Sequence, residues 1–307
     1  MKLKTLAKAL GLLFLMSLFA FFITRLIPGD PATLYLESKQ LAPSPENIRL
    51  VNEEFGLDRS LLVQYFHWIT HFITGDWGTS FYSSQPIRQE ILNRLPASLT
   101  VGLGGLLLAM LGSFYLGFLA SLRSNGFWDK LSRGLSLLSQ AIPSFILIIV
   151  FIQITSVRLQ WFKFYTEESP WAIVFALVVV ALYQIGPLSR IVCRHFETTQ
   201  KETYIKALVL RGYPLRTALS KYGWQESLYG LLAASLAQMS WVIGGTAVVE
   251  YSFGVAGISN YLVHSMQRRD YLVIQSYIMI VGLWMLVVQV IFHYLMKYLR
   301  KETTYVS

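Results

Sequence analysis

Two histidines have the spacing that could bind a metal ion. His67 and His71 are four residues apart in an apolar stretch of this 307-residue sequence. In a helix, both imidazoles would lie on one face and could reach the same ion. No third ligand is identifiable, and packing beside Trp68 at an interface is the simpler alternative. We therefore predict no metal site and keep His67 and His71 as candidate ligands.

Catalytic groups are equally sparse. Glu250, His264 and Asp270 form the one cluster that could serve a membrane enzyme, near the ends of two apolar stretches. No Ser/His/Asp or Cys/His arrangement stands out, and a lone Cys193 cannot form an internal disulfide. The sequence also lacks the G-x-x-x-x-G-K-[ST] phosphate loop. We expect no catalytic residues, no enzyme and no cofactor bound by this chain.

The composition instead indicates a membrane protein. Hydrophobic residues make up 54% of the chain and charged residues 14%, and the mean hydropathy is +0.48. Soluble domains carry about 25% charged residues, and a membrane-spanning helix needs roughly 20 apolar ones. Five uncharged runs are long enough, and the first becomes so with its apolar flank through Ile27. The six runs are Ala9–Thr24, Leu95–Leu122, Gly134–Val157, Ser169–Ser189, Ser227–Val249 and Tyr271–Met296. We predict an all-α integral membrane protein with six transmembrane helices.

The charges outside these runs predict the topology. If the N-terminus is cytoplasmic, the inner segments hold 16 Lys and Arg against 5 acidic residues. Basic residues favour the cytoplasmic side, so both termini are expected there. The basic net charge then reports topology, and no nucleic-acid partner is expected. A secretory signal is the alternative for the first run, but no small-residue cleavage site follows it, and an anchor is expected.

Four segments follow from this topology. They are an N-terminal anchor (1–27), an extracytoplasmic segment (28–94), a five-helix core with a coupling loop at 194–226 (95–298) and a cytoplasmic tail (299–307). In the extracytoplasmic segment, the pattern predicts helices over Glu46–Phe55, with Ser44 as N-cap, and over Leu61–Thr74. Residues Gly75–Gly78 then form a turn.

Small residues recur at every fourth position of the second run. This ridge permits close packing of helices, either within the chain or against a partner. It consists of Gly105, Ala109, Ser113, Gly117 and Ser121. Pro143 and Pro187 are expected to kink the third and fourth runs.

No Asp, Glu, Lys or Arg lies inside any of the six runs. Ion-coupled carriers usually need such groups within the membrane, so a secondary carrier is a remote alternative. If transport is active, its energy must come from another polypeptide. The largest inner loop, Arg190–Glu226, is where that partner would dock. We predict a short amphipathic helix within Glu197–Leu210, turned by Gly212, with Pro214 opposing its resumption. Such a helix could enter a groove on a protein or lie on lipid headgroups.

The segment Glu202–Gly212 resembles the coupling motif of ATP-binding-cassette importer permeases. That family has Glu-Ala-Ala, three residues and then Gly; here the positions read Lys206-Ala207-Leu208 and Gly212. The later Leu-Pro step of the family is replaced by Tyr229-Gly230, where Gly230 could make a similar break. The resemblance implies that the ATPase-coupling residues are Glu202, Tyr204, Lys206, Ala207, Leu208, Arg211 and Gly212.

Further motifs extend the resemblance to nearly the whole chain, within the dipeptide/oligopeptide/nickel branch. They occupy 26–31, 55–58, 64–65, 75–80, 94–100, 142–145, 250–257 and 269–271. The resemblance implies a bacterial inner-membrane protein that pairs with a second, homologous permease. It also implies two ATPase subunits, which bind the ATP and Mg²⁺, and an extracytoplasmic substrate-binding protein. We expect the cargo to be nickel or a nickel chelate, because residues 30–36 and 43–47 resemble the nickel members; dipeptides or oligopeptides are the alternative.

Overall fold

Helices form nearly all of the regular structure in a computed structural model, which describes residues 3–26, 29–161 and 170–303. Among these residues, the β-structure is a single bridge between Thr79 and Pro86. The helices are α1 (Leu3–Arg25), α2 (Pro31–Ser38), α3 (Pro45–Phe55), α4 (Leu61–Thr74), α5 (Ile87–Leu122), α6 (Phe127–Ala141), α7 (Ser144–Ile152), α8 (Pro170–Thr199), α9 (Thr203–Leu210), α10 (Leu215–Tyr222), α11 (Trp224–Gln238), α12 (Ala247–Phe253), α13 (Ile258–Gln267) and α14 (Tyr271–Thr303). The prediction of an all-α membrane protein is confirmed.

Four helices of the described part are long and apolar enough to cross a membrane. They include Ala7–Arg25, Ile87–Leu122, Trp171–Thr199 and Tyr271–Leu295. Phe127–Ala141 and Ser144–Arg158 pass the same test as a pair bent by 102°. The bend lies at Pro143, as predicted, whereas α8 continues through Pro187. The count of candidate spans is therefore four, or five with the bent pair, and the predicted six are not confirmed.

The predicted helix over Ser227–Val249 is wrong as a continuous element. The helix α11 ends at Gln238, a short 3₁₀ turn spans Met239–Trp241, and α12 begins at Ala247. Gly244 lies at φ +101°, a backbone conformation that interrupts a right-handed helix and that glycine adopts without strain. A Cβ at Gly245 would lie 2.1 Å from the Trp241 indole nitrogen, so the turn closes on that ring. An uncharged run shows that a segment can enter a membrane, not that its helix is unbroken.

Contacts divide the chain into two compact units. The first comprises Met1–Pro96 with Ala256–Leu286, and the second comprises Ala97–Val255 with Val287–Ser307. In the second unit, the small-residue ridge of α5 packs against α8. A Cβ at Gly105 would lie 2.6 Å from Val180, and one at Gly117 would lie 2.6 Å from the Ser189 carbonyl oxygen. The ridge is therefore filled within this chain.

A buried carboxylate ties α6 to α8 in the second unit. Asp129 is 1% exposed and accepts a hydrogen bond of 2.7 Å from Arg190 Nη1. It also accepts one from the Asn125 N–H and two from Arg133, which is half-exposed. Two cations and a backbone amide thus offset the cost of burying this charge.

In the first unit, α1, α4 and the beginning of α14 share an aromatic core. Phe21 makes an edge contact with Tyr65 and a tilted contact with Trp68. Ser17 and Tyr65 share a hydrogen bond of 2.7 Å, and Gln275 Nε2 donates to Thr24 Oγ1 at 2.8 Å. These four polar side chains are thereby satisfied by neighbouring helices, as burial in low-dielectric surroundings favours.

The segment predicted to be extracytoplasmic forms the expected helices. The predicted helix over 61–74 coincides with α4, and α3 begins one residue before the predicted start. Ser44 is the N-cap of α3, its hydroxyl accepting from the Asn47 N–H. A small core of Ala32, Leu36 and Val51 joins α2 to α3.

Candidate functional site

The predicted coupling residues lie on α9 and the turn that follows it. Glu202 is the N-cap, and its carbonyl oxygen accepts from the Lys206 N–H. Glu202, Tyr204, Lys206, Arg211 and Gly212 are exposed, whereas Ala207 and Leu208 are half-buried. The helix α9 is shorter than the predicted window of Glu197–Leu210. The helix α8 extends to Thr199, and α9 begins only at Thr203, after a short non-helical connection.

Gly212 ends α9 in a Schellman motif. Its N–H donates to the Val209 carbonyl at 2.9 Å, and the Tyr213 N–H donates to the Leu208 carbonyl at 3.2 Å. These two bonds define the motif, which places the intervening residue in the left-handed region. Gly212 has φ +91°, and a Cβ there would meet no atom within 4 Å. Backbone conformation, and not lack of space, therefore favours glycine at this position.

Two expectations about the end of the loop are wrong. A helix resumes directly after Pro214, as α10, because proline at an N-cap gives up no intrahelical hydrogen bond. Gly230 makes no break and lies inside α11, where a Cβ would fall 2.2 Å from the His195 imidazole. Gly230 thus allows α11 to approach α8 closely.

Apolar side chains remain exposed around this turn. Tyr204, Val209 and Tyr213 are 41% to 46% exposed, and Leu210 is 88% exposed. Ile205 holds α9 in place on its opposite side, where it is 1% exposed. Neither Ile205 nor α10 is among the features predicted from the sequence. Both could have been predicted from apolar residues at helical spacing, namely Ile205 with Leu208, and Leu215 with Ala218 and Leu219.

The charges around α9 are mixed. Lys206 is exposed on the helix, the exposed Arg211 follows its last residue, and Glu202 precedes it. Partial burial raises the pKa of the Tyr204 hydroxyl, and the carboxylates of Glu226 and Glu202 add to this. Tyr204 is therefore a neutral phenol at physiological pH, available for apolar contact and hydrogen bonding. The arrangement suits docking to another protein and carries no catalytic constellation.

Three of the motifs that carried the resemblance contact each other in the first unit. Ser80 Oγ, from the 75–80 motif, donates to Asp270 Oδ2 at 2.5 Å. The neighbouring Tyr271 hydroxyl donates to the carbonyl of Gly29, from the 26–31 motif, at 3.2 Å. Residues 27 and 28 of that motif lie outside the described residues. These contacts join segments about 190 and 240 positions apart, which spacing alone could not reveal.

Further contacts reinforce this connection. The Arg268 guanidinium lies 3.4 Å from the Tyr82 ring centroid. Burial raises the pKa of Asp270, and hydrogen bonds from Ser80 and nearby backbone amides oppose that rise. Burial also raises the pKa of Tyr261 to about 12. The contacts of Asp270 with Ser80 and of Arg268 with Tyr82 hold the turn at 75–84 against the start of α14.

The candidate histidines lie side by side on α4. Their ring centroids are 4.3 Å apart, and His71 Nδ1 lies 3.1 Å from Asp76 Oδ2. The hydrogen bond with His71 lowers the pKa of Asp76. Within the described ranges, no group of three His, Cys, Asp or Glu could hold a metal ion.

The members of the suggested catalytic cluster have other partners. Glu250 is fully buried and accepts from Thr246 Oγ1 at 2.7 Å within the second unit. Asp270 accepts from Ser80 in the first unit. Both bonds hold neighbouring parts of the fold together.

Comparison with known proteins decides the family. The model of the binding-protein-dependent transport system inner membrane component matches residues 113–305 of the 307. The chain belongs to this family. The model of the N-terminal part of such membrane components matches residues 2–102 of the same permease. The permease is thus a membrane transport subunit and not an enzyme.

Related permeases match over nearly their full lengths. A Brucella abortus protein assigned as a peptide transport system permease is 28% identical over 297 residues, 94% of each chain. The glutathione transport system permease protein GsiC of Salmonella typhimurium is 28% identical over 289 residues, again 94% of each chain. GsiC of Salmonella choleraesuis is 27% identical over the same length.

Proposed function

We propose that this permease forms half of the path by which an ATP-binding-cassette importer brings peptides into a bacterial cell. The full-length similarity to peptide and glutathione permeases carries this proposal. It does not support the nickel or nickel-chelate cargo expected from the sequence, and the peptide alternative fits better. Glutathione is itself a tripeptide, so both relatives point to the same class of cargo.

The helix α9 and the turn that follows it at Gly212, together called the α9 turn, are the proposed point of energy input. Its exposed Tyr204, Val209 and Leu210 would enter a groove on an ATPase subunit, and Lys206 and Arg211 would meet acidic groups at the rim. The lipid-headgroup alternative is less favourable, because Glu202 and Glu226 place carboxylates beside the apolar residues. ATP and Mg²⁺ would be bound by the ATPase subunits. The remaining predicted residues, Ala207, Leu208 and Gly212, would fix the shape of the docked turn.

The proposed assembly contains a second, homologous permease, two ATPase subunits and an extracytoplasmic substrate-binding protein. Both termini of this chain and the α9 turn would face the cytoplasm. Six segments would cross the membrane, the third bent at Pro143 and the fifth broken between Gln238 and Ala247. The segment at 28–94 would face the binding protein. The positive-inside distribution of Lys and Arg supports this orientation.

Uptake measurements test the proposed cargo. Cells lacking the gene would be complemented with it and given labelled dialanine, glutathione or nickel ion in turn. We expect restored, ATP-dependent uptake of a peptide that requires the co-expressed ATPases. Uptake of nickel alone would reject the peptide assignment, and uptake without the ATPases would reject the importer assignment.

A further inference from the structure

A cavity of about 360 Å³ in the first unit is not accounted for by transport coupling. It lies among the C-terminal end of α1, α3, α4, the 75–79 turn and the start of α14. Its volume is within the roughly 300–1,000 Å³ that is typical of small-molecule sites. Aromatic rings of Phe21, Trp68 and Trp77 form part of its wall.

The cavity is lined by Arg25, whose guanidinium lies 3.4 Å from the Phe21 ring centroid but has no carboxylate partner among the described residues. Arg25, half-buried, donates to the Phe21 carbonyl at 3.2 Å and to Gln64 Oε1 at 2.7 Å, both neutral acceptors. The ion pairs found among the described residues do not include Arg25. A partly desolvated guanidinium gains most from an oxyanion, which it can bind through two parallel hydrogen bonds.

A second donor in the same wall lacks an acceptor. Trp68 is 8% exposed, and its indole Nε1 has no hydrogen-bond partner among the described residues. A buried donor without a partner is costly, and such groups usually have one in the native assembly. Arg25 and Trp68 both line the cavity, and Trp68 Nε1 would gain an acceptor from an anionic ligand group bound there.

The cavity also has an acidic part, which limits the class of ligand. Glu53, Glu54 and Asp76 line it together with Arg59, so three carboxylates accompany the two arginines of the lining. Glu53 pairs with Arg49 and Asp76 with His71, whereas Glu54 takes part in none of the ion pairs found in the described ranges. A purely anionic ligand would be repelled by these carboxylates, but a ligand that also carries an ammonium group would be attracted. The lining thus matches a zwitterion.

We propose that this cavity binds the zwitterionic headgroup of a membrane phospholipid. The phosphate would be held by Arg25 and Trp68 Nε1, and the ammonium group would face the acidic wall and the Trp77 ring. Arg25 ends a candidate membrane span, and in the proposed topology it lies at the level of the outer headgroups. This position favours a lipid over a soluble zwitterion such as a peptide.

Lipid binding to the purified importer complex tests this proposal. The probe is dihexanoyl-phosphatidylethanolamine below its micellar concentration, with the rise in Tm giving the affinity. Arg25→Gln and Trp68→Phe are each expected to weaken binding about tenfold or more, since each removes a hydrogen bond to a charged group. Trp128→Phe is the matched control, because that indole is 44% exposed and lies outside the cavity lining.

The Trp68→Phe variant separates binding from a structural role. Because Trp68→Phe also removes ring atoms from the aromatic core, it should lower the Tm without lipid; the proposal predicts, in addition, that the lipid-induced rise in Tm becomes smaller. A purely structural role would lower the Tm equally with and without lipid, and this result would overturn the proposal. So would equal binding of the phosphatidylglycerol analogue or of inorganic phosphate, or saturable binding of dialanine at Arg25 in place of the lipid. None of these outcomes would change whether the wild-type permease imports peptides.

Discussion

Substitutions at Gly212 should impair transport in an order set by backbone conformation and not by side-chain size. The residue lies at φ +91° and closes the Schellman motif of α9, yet a Cβ there would meet no atom within 4 Å. L-residues pay about 1–2 kcal/mol in the left-handed region, and Asn pays less than the others. β-Branched residues adopt this region least readily. We therefore expect uptake to fall in the order Gly, Asn, Ala, Val.

The size of the effect follows from the same energy. A loss of 1–2 kcal/mol lowers the equilibrium constant for forming the correct turn by about 5–30-fold, and the population falls by a similar factor where the turn is marginally stable. The helix α9 has only 8 residues, so little else would hold its C-terminal end in place. Peptide uptake by Gly212→Ala should fall by a factor in this range, and Gly212→Val should lose uptake.

The assay is uptake of labelled dipeptide, normalised to the amount of permease in the membrane. Co-purification of the ATPase subunits would report docking in the same cells. Gly134→Ala is the control: this glycine of α6 also has open space around it, but it does not have a left-handed φ. Normal uptake by Gly212→Val would refute the coupling assignment, and better uptake with Ala than with Asn would refute the conformational argument.

Three further predictions concern stability in detergent. Asp129→Ala should cost about 3–5 kcal/mol, because it leaves the largely buried Arg190 without its carboxylate partner. Arg133→Gln should cost about 0–1 kcal/mol, because Arg133 is half-exposed. Equal shifts in Tm would contradict this. Gly186→Val should abolish a monodisperse chromatographic peak, since its Cβ would lie 2.5 Å from the α6 backbone, while Gly104→Ala, which meets a leucine side-chain tip, should retain that peak. Burial raises the pKa of Asp270 in the folded state above its ordinary 3.8. Between the unfolded-state pKa and the higher folded-state pKa, the folded protein therefore binds more protons than the unfolded protein. The free energy of unfolding should fall as the pH rises through that window. Asp270→Asn should flatten this pH dependence of the Tm, and an unchanged slope would count against it.

The sequence predicted best what is encoded locally. Ser44, the apolar spacing of 61–74 and the Gly212 turn each act within a few residues, and the structure has these elements where expected. Pro143 also produces the expected bend, because proline removes a hydrogen bond within its own helix. What the sequence could not give depends on distant partners: Ser80 and Asp270 are 190 positions apart.

Within the second unit, α8 extends to Thr199, beyond the uncharged run that ends at Ser189. Contacts along α8 with its neighbours explain this extension. Gly186 lets its backbone approach α6, and Arg190 adds the ion pair with Asp129 one turn later. Gln200, just beyond the helix, donates to the Ser121 carbonyl of α5 at 2.8 Å. These contacts hold α8 against both neighbours up to the residue where the coupling loop leaves it. A displacement at α9 would therefore reach α5 and α6 through a packed element.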